Sequence, residues 1–308
     1  MTRKICFSLV LLSVLVSCKE SETSSIEDAT ILEVGKIDHY EMMESKFIRP
    51  RNVDVWLPNN YNEERTYQVL YMQDGQNIFE PGHAYGDECW EVDNAIQNLI
   101  DNGEIPPTIV VGIWNTEDRT IEYTPAKPYY LLDSIMQDSF ERIGRIRKEP
   151  ASDAYLKFIV EELKTFIDST YSTASDRIHT YIGGSSMGGL ISLYAQFEYP
   201  EVFGGAACVS THWPLGLDQN RDDFAIAYGE YLKAKDLKVN DFKLYFDYGT
   251  ETLDAWYKPH QEYIDSLFEW QIEHRGASAG GEFEGTAHNE KFWRQRFPSI
   301  AKFLLGSS

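Results

Sequence analysis

The segment Tyr181–Gly189, with the sequence YIGGSSMGG, is the strongest indication of the fold in this chain of 308 residues. It contains a G-x-S-x-G sequence that follows a predicted strand, Ile178–Ile182, and precedes a predicted helix from Met187 to about Phe197. A serine between a strand and a helix lies in a tight turn that holds its hydroxyl at the end of a sheet. The amides and the positive dipole end of the helix then face the serine oxygen. We therefore interpret Ser186 as a nucleophile.

The rest of the chain alternates short β-rich runs with longer helical patterns, which is typical of a mainly parallel central sheet with helices on both faces. The sequence thus predicts an α/β fold independently of the serine. Further strands are predicted at Val53–Leu57, Tyr67–Met72, Thr108–Trp114, Gly205–Val209 and Phe242–Tyr248, and helices at Asp153–Ile167, His260–His274 and Glu290–Leu305.

A serine hydroxyl is a weak nucleophile and needs a base within hydrogen-bond reach. In folds with this kind of turn, the chain order is serine, acid, histidine, and the histidine follows the last strand. His288 lies after a predicted late strand, Phe283–Thr286, and before a predicted helix. His274 is also downstream of the serine, but it falls inside a helical pattern. We therefore interpret His288 as the general base.

The acid is expected just after the strand Phe242–Tyr248, where two carboxylates compete. Glu251 and Asp254 both lie in this loop, and either one can orient the imidazole and stabilise its charged form. The other would cap the helix that begins near Tyr257. We favour Asp254 and keep Glu251 as the alternative.

An oxyanion that develops on the substrate needs two backbone donors. One is expected to be the amide of Met187, directly after the nucleophile. The other is expected in the loop Tyr71–Asn77, where Gly75 lets the backbone turn so that the amide of Gln76 faces the serine.

Aromatic residues near the expected cleft are candidates for substrate binding. Trp213 and His212 follow a strand end, where ligands approach such sheets, and Trp90 is a candidate surface for stacking against a sugar. Residues 115–151 fit the alternating pattern poorly, and we interpret them as a lid or a wall of the cleft.

The N-terminus reads as a bacterial export signal. Residues 1–17 carry two basic residues followed by an apolar run that is short for a membrane span, and they end before Cys18 in a sequence that resembles the lipobox of lipoproteins. We expect a lipid on Cys18, a polar tether over residues 18–35, and a single catalytic domain over residues 36–308. The protein is then an exported lipoprotein, held by its lipid on a membrane in the periplasm or at the cell surface.

Charge and cysteine content exclude several classes of partner. The formal net charge of −21 disfavours a nucleic acid, because an acidic surface repels phosphate backbones. Once Cys6 leaves with the signal and Cys18 carries lipid, Cys89 and Cys208 remain, and we expect them to be two separate buried thiols. Neither belongs to a spacing that ligates metal, so no metal and no other cofactor is expected.

At this point three segments resemble a known family: Tyr71–Gln76, Tyr181–Gly189, and Gly285–His288 together with Trp293. The sequence is similar to the putative esterase family, which includes enterochelin esterases, feruloyl and acetylxylan esterases, and S-formylglutathione hydrolases. The similarity covers about residues 47–305. It implies an α/β-hydrolase fold and ester hydrolysis through an acyl-enzyme, without a metal. Members often carry an acidic residue where this chain has Thr252, so the chain departs from the family at the acid.

Three functions are open at this stage. The first is a carbohydrate esterase that removes acetyl or feruloyl groups from oligosaccharides. The second is a siderophore esterase, which opens an enterochelin-type trilactone and needs a basic cluster at the serine. Arg119, Arg142, Arg145 and Arg147 supply it only if residues 115–151 fold over the site. The third is a surface lipoprotein that binds a glycan without turning it over.

Overall fold

The structure is a computed structural model that describes residues 34–82, 84–142, 149–216, 222–235 and 239–306. The signal peptide, Cys18 and nearly all of the tether lie outside these residues, so all three stay predictions. Among the residues that the structure does describe, no helix combines the length and the hydropathy that a membrane span needs.

One sheet runs through the described part of the chain, with the strand order β1-β2-β4-β3-β5-β6-β7-β8. β1 and β2 pair antiparallel, β2 pairs antiparallel with β4, and every other pairing is parallel, so the prediction of a mainly parallel sheet is confirmed. The strands are β1 (Lys36–Met43), β2 (Arg51–Leu57), β3 (Gln68–Gln73), β4 (Thr108–Ile113), β5 (Thr180–Ser185), β6 (Gly205–Val209), β7 (Phe242–Glu251) and β8 (Gly276–Ala287).

Helices cover both faces of this sheet. The helices are α1 (Val92–Asp101), α2 (Arg119–Glu122), α3 (Ala126–Tyr130), α4 (Ser134–Arg142), α5 (Ser152–Lys157), α6 (Lys164–Thr170), α7 (Met187–Glu198), α8 (Asp223–Lys235), α9 (Lys258–Arg275) and α10 (Glu290–Leu305), and a π-helical stretch at Phe158–Leu163 joins α5 to α6. Side chains of β3 alternate between the two layers of the core, because successive side chains of a strand point to opposite faces. Val69 and Tyr71 pack with α5 to α9, while Leu70 and Met72 pack with α1 and α10.

Most predicted elements are present, and the differences have physical causes. β1 was not predicted, because it is a half-exposed strand at the sheet edge with little apolar content. β7 runs on to Glu251, so the loop that carries the acid begins later than expected. The predicted strand Phe283–Thr286 is the end of β8, whose alanine and glycine residues give little strand signal.

The segment 115–151 is packed into the body of the molecule where the structure describes it. Arg51 of β2 donates two hydrogen bonds to the carboxylate of Glu122 in α2, and both side chains are buried. Tyr123, Tyr129 and Phe140 are buried in the core. Because these contacts fix α2 and α3 against the sheet, this part of the segment is a fixed wall rather than a lid.

The parallel strands bring five loops to one edge of the sheet. The carboxyl ends of β3, β5, β6, β7 and β8 are followed by Asp74, Ser186, Ser210, Asp254 and His288 respectively. In open α/β sheets, ligands bind at this edge. The topology therefore places every residue of the predicted chemistry at one end of the molecule.

Candidate active site

Ser186 lies alone between the end of β5 and the start of α7, with φ of 58° and ψ of −122°. A positive φ is strained for a residue with a side chain, so the surrounding contacts have to hold this turn. The amide of Ser186 donates to the carbonyl of Val209 (2.9 Å), and the amide of His212 donates to the carbonyl of Ser186 (3.2 Å). The end of β6 and the loop after it thus fix the turn on both sides.

The two outer glycines of the turn are required by the closeness of β3. A Cβ on Gly184 would lie 2.8 Å from the Cβ of Gln73, and a Cβ on Gly188 would lie 3.1 Å from the same atom. Gln73 is the last residue of β3, and its Oε1 accepts a hydrogen bond from the hydroxyl of Tyr155. The side chain at the end of β3 therefore excludes a larger residue at either glycine.

His288 contacts a carboxylate and two aromatic rings. Its Nδ1 lies 2.5 Å from Oδ1 of Asp254. The ring meets Trp293 and Tyr257 edge to face, with centroids 4.9 and 5.7 Å away. The backbone amide of His288 donates to Oγ1 of Thr252 (2.9 Å). Because the carboxylate can only accept, Nδ1 carries the hydrogen, and Nε2 is then the basic nitrogen of the neutral ring.

Asp254 is fully buried, and donors surround its second oxygen. Oδ2 accepts from the hydroxyl of Ser210 (2.6 Å) and from the backbone amide of Gly249 (2.7 Å). Ser210 in turn accepts from Nε1 of Trp293 (3.0 Å) and from Nη2 of Arg296 (2.9 Å). These hydrogen bonds fix the orientation of the carboxylate.

The contact between Asp254 and His288 distinguishes the two candidate acids. Glu251 is the last residue of β7, where it pairs with Ala287, and its side chain is exposed. The extension of β7 directs Glu251 away from the position that an acid needs. Asp254 lies in the 3-10 turn Thr252–Trp256 that follows, and this turn brings it under the imidazole.

The loop after β3 forms the opposite side of the site. Gly75, Gln76 and Asn77 form a 3-10 turn, and a Cβ on Gly75 would lie 2.4 Å from the carbonyl carbon of Gly112 in β4. Only glycine fits there, so the turn lies directly against β4. The side chain of Gln76 accepts from the amide of Asn115 (3.2 Å), which fixes Gln76 at the cleft.

A cleft of about 450 Å³ lies between Ser186, His288 and the loop after β3, and most of the side chains that line it are polar. Arg119 of α2 binds Asp74 through two hydrogen bonds of 2.7 and 2.8 Å, and Asn115 adds a third to the same carboxylate (2.6 Å). The lining residues are Asp74, Gln76, Asn77, Asn115, Arg119, Ser185, Ser186, His288, Asn289, Glu290 and Trp293.

Glu290 is a buried carboxyl group in this cleft, two residues after His288. Its Oε1 accepts a hydrogen bond from Nδ2 of Asn77 (3.2 Å). The pKa of Glu290 is raised to about 7, mainly by burial; the charge of Asp74 contributes to the rise, while a backbone hydrogen bond and Arg119 oppose it. Glu290 is therefore a carboxyl group with a raised pKa in the cleft that Ser186 also lines.

Three residues predicted to bind substrate do not reach the cleft surface, and these predictions are wrong. Trp213 is fully buried and donates to Oε1 of Gln261 (3.0 Å). The side chain of His212 is 2% exposed and contacts the hydroxyl of Tyr257 (2.7 Å), while its amide holds the serine turn. Trp90 is 3% exposed and packs on Trp293 at 5.5 Å. Each aromatic side chain gains more from burial in the core than it would from exposure.

Several residues at the site were missed from the sequence. Asp74, Asn115 and Glu290 were not singled out, and Arg119 was considered only as part of a basic cluster. Asp74 lies in the segment Tyr71–Asn77, which resembles the family, so the sequence does carry a local signal for this residue. Ser210 binds Asp254 from the loop after β6, and Arg296 of α10 binds Ser210; no local pattern points to either residue.

Neither cysteine that the structure describes is among the residues that line the cleft. Cys89 and Cys208 are both buried and free, so they are two separate thiols as predicted. Within the described ranges, no three histidine, cysteine or acidic side chains come together in a way that could hold a metal ion.

Three curated proteins share sequence with part of this chain, and two of them show how far the similarity extends. The uncharacterized protein YjcH of Bacillus subtilis (strain 168) is 28% identical over 151 residues, which are 49% of this chain and 51% of that protein. An endo-1,4-beta-xylanase/feruloyl esterase of Xylanibacter ruminicola is 25% identical over 207 residues, which are 63% of this chain and 24% of that protein. The chain thus spans about half, or less, of the length of these relatives.

Solved structures match over most of the chain at low identity. A ferulic acid esterase aligns with a TM-score of 0.61 and 16% identity, over 88% of this chain and 98% of its own. The enterobactin esterase FES from Shigella flexneri, solved in the presence of enterobactin, aligns with a TM-score of 0.63 and 15% identity, over 87% of this chain and 59% of its own. These similarities concern the fold, and they confirm the predicted α/β-hydrolase fold.

The match to a family model extends over nearly the whole described sheet. The model described as "Putative esterase" matches residues 45–304. This confirms the resemblance found in the three sequence segments, and with it the prediction of an ester hydrolase at the level of the family. The chain therefore belongs to the "Putative esterase" family.

Proposed function

We propose that the chain is a serine esterase that cleaves carboxylic esters through an acyl-enzyme, with Ser186 as nucleophile, His288 as general base and Asp254 as the acid that orients it. The observation that carries this proposal is the 2.5 Å contact between His288 and the buried Asp254, beside a serine that lines the same cleft. The order serine, acid, histidine along the chain agrees with it.

The chemistry follows from the positions of these groups. As Oγ of Ser186 attacks the ester carbonyl carbon, Nε2 of His288 takes the hydroxyl proton, and Asp254 stabilises the imidazolium that forms. The amides of Met187 and Gln76 are the proposed donors to the oxyanion. His288 then gives its proton to the leaving alcohol as the ester C–O bond breaks. A water molecule attacks the acyl-serine in the same way, with His288 again as base, and releases the acid.

We propose a carbohydrate ester as the substrate, with an acetyl or feruloyl group as its acyl part. The cleft supports this choice because amide, carboxylate and guanidinium groups line it and can bind the hydroxyl groups of a sugar. A ferulic acid esterase is among the proteins that share the fold, and an endo-1,4-beta-xylanase/feruloyl esterase is among the relatives in sequence.

The siderophore alternative has weaker support. The enterobactin esterase FES shares the fold, but the anionic catecholate substrate of such an enzyme calls for a basic cleft. Of the arginines considered for this role, only Arg119 is described in the cleft, and Asp74 already binds its guanidinium. Arg145 and Arg147 lie outside the described residues, and the side chain of Arg142 is not described either. A glycan-binding lipoprotein without catalysis is the remaining alternative. This alternative gives no functional reason for the contact between His288 and Asp254.

The proposal includes the export of the protein and its attachment to a membrane through a lipid on Cys18. Its basis is the sequence of residues 1–18 alone. Metabolic labelling with a palmitate analogue tests it: label is expected in the parent chain and not in Cys18→Ala.

The first test of the chemistry is the Ser186→Ala variant with p-nitrophenyl acetate and a fluorophosphonate probe. We expect the parent to hydrolyse the ester and take the label, and the variant to lose about 10⁴-fold or more in kcat with no labelling. Ser192→Ala is the matched control, since Ser192 is buried in α7 and its hydroxyl has no hydrogen-bond partner among the described residues. A folded parent that neither turns over nor labels would contradict the proposal and favour the glycan-binding alternative.

A further inference from the structure

A second cavity of about 410 Å³ adjoins the catalytic cleft. Its walls come from β1, β2, the end of β4 and the turn after β3. The two cavities share one residue, Gln76. Trp114 lines the second cavity, and the next residue, Asn115, lines the catalytic cleft. The lining residues are Ile37, His39, Asn52, Asp54, Gly75, Gln76, Phe79, Glu80 and Trp114.

Trp114 is held in a fixed orientation in this cavity. Its Nε1 donates to Oδ2 of Asp54 (2.5 Å), and its backbone amide donates to the carbonyl of Asn52 (3.1 Å). The other oxygen of Asp54 lies 2.5 Å from Nδ1 of His39, whose ring meets that of Trp114 edge to face. Asp54 is nearly buried, with 10% of its side chain exposed, whereas His39 is 45% exposed. A buried carboxylate thus fixes a partly exposed aromatic ring and an exposed imidazole together.

The composition of the cavity favours binding over chemistry. Among the residues described as lining it there is no serine, threonine, cysteine or lysine, so it offers no hydroxyl, thiol or amine nucleophile. No arginine lines it either, which disfavours an anionic ligand. It offers a tryptophan ring, two amide side chains and the acidic group of Glu80. A neutral sugar matches this set, because one face of its ring is apolar and its edge carries hydroxyl groups.

We propose that this second cavity is a saccharide subsite, in which a neutral sugar unit stacks on Trp114 while the acylated sugar next to it occupies the catalytic cleft. This inference rests on the proposed carbohydrate esterase function. The shared residue Gln76 supports it, because two adjoining units of one oligosaccharide would lie on either side of that residue. His39, Asn52 and Glu80 lie where they can bind the hydroxyl groups of the stacked unit.

Binding of unacylated oligosaccharides tests the subsite without any chemistry. Calorimetric titration of the full chain with xylotetraose and with cellotetraose is expected to show binding of at least one of them. Trp114→Ala is expected to weaken it on the order of tenfold, since a stacked ring face is lost. Tyr130→Ala is the matched control, because Tyr130 is 52% exposed on α3, and its removal should leave the affinity unchanged. No binding by the parent, or equal affinity in Trp114→Ala, overturns the subsite.

A second variant covers the case in which Trp114→Ala does not fold. His39 is exposed, so His39→Ala removes a proposed sugar contact without opening the core, and we expect a loss of about threefold in affinity. An unchanged affinity in this variant, with the parent binding normally, also counts against the subsite.

Kinetics separate this inference from the proposed function. For acetylated xylotetraose, Trp114→Ala should raise KM about tenfold, while the control Tyr130→Ala keeps the KM of the parent. If the parent cleaves the acetylated sugar and Trp114→Ala does so equally well, the subsite is wrong and the function stands. If the parent cleaves no sugar ester yet binds the tetrasaccharides through Trp114, the function is wrong and the subsite stands.

Discussion

The two sides of the catalytic cleft are built in different ways. On one side, Asp254 is fully buried, and its oxygens meet three donors, from His288, Ser210 and Gly249. On the other side, Asp74 also meets three hydrogen bonds, but its main partner, Arg119, keeps 29% of its side chain exposed to the cleft. The first arrangement holds a charge away from solvent, and the second presents a charge to a ligand.

This difference indicates which kinetic constant the Asp254 side and the Arg119 side of the cleft should each control. A buried carboxylate that meets the imidazole but lies outside the cleft lining acts on the transition state, and its loss lowers kcat. We expect a guanidinium that faces the cleft to contact bound substrate before and during the reaction, so its loss should raise KM. The predictions below test this division.

The largest effect is expected from Asp254→Asn. An amide at this position no longer fixes the tautomer of His288 or stabilises its charged form, so kcat should fall by roughly 10²- to 10⁴-fold with little change in KM. Steady-state kinetics with p-nitrophenyl acetate measure this. Glu251→Gln is the control, and it should retain activity within about twofold. The reverse pattern would make Glu251 the acid and remove the distinction between the two sides.

Arg119→Met is expected to have a smaller effect than Asp254→Asn, and to act on KM rather than on kcat. The loss of the guanidinium should raise KM for acetylated xylo-oligosaccharides about tenfold and leave kcat within a few-fold of the parent. It should also reduce stability, because Asp74 is left nearly buried without its counter-charge.

The double variant Arg119→Met with Asp74→Asn separates the two consequences of that change. Removing the unpaired charge should restore the melting temperature but not the KM. If the double variant recovers both, Arg119 acts on the fold of the loop rather than on substrate, and the proposed role of this side of the cleft is wrong.

The smallest effect is expected from Glu290→Gln, as a dependence of stability on pH. Since burial raises the pKa of Glu290 to about 7 in the folded state, from 4.5 for the exposed group, folding favours the protonated form. The carboxyl therefore costs no stability below its unfolded pKa, and it destabilises the fold increasingly as the pH rises through the folded value. Glu290→Gln should gain on the parent over this range by about 1–2 kcal/mol, a value reduced for solvent screening.

Thermal unfolding of both proteins at about pH 5.5 and about pH 8.5 measures the difference. Glu284→Gln, at an exposed position of β8, is the control and should show no such dependence. A gain for Glu290→Gln that is equal at both pH values would mean that the carboxyl does not titrate in this range.

The fold, Ser186 and His288 could be predicted from the sequence, because each has a local signal. Alternating strands and helices gave the sheet, the glycine spacing gave Ser186, and chain order gave His288. The choice between Glu251 and Asp254 depended on where β7 ends, and a boundary shift of a few residues decides it. Trp213 was misplaced because an aromatic residue carries no sign of the side on which it packs. Arg296 reaches Ser210 only through the tertiary fold.

Thr252 has a consequence for how relatives of this chain should be compared. The structure shows its hydroxyl holding the backbone of His288, while the carboxylate that meets the imidazole comes two residues later. Different residues of one turn thus anchor the histidine loop and supply the carboxylate. The carboxylate can therefore occupy another position of the turn while Thr252 still anchors the loop. In an alignment, the absence of an acidic residue at the position of Thr252 therefore does not indicate an inactive enzyme. A buried carboxylate elsewhere in the same turn can serve as its replacement.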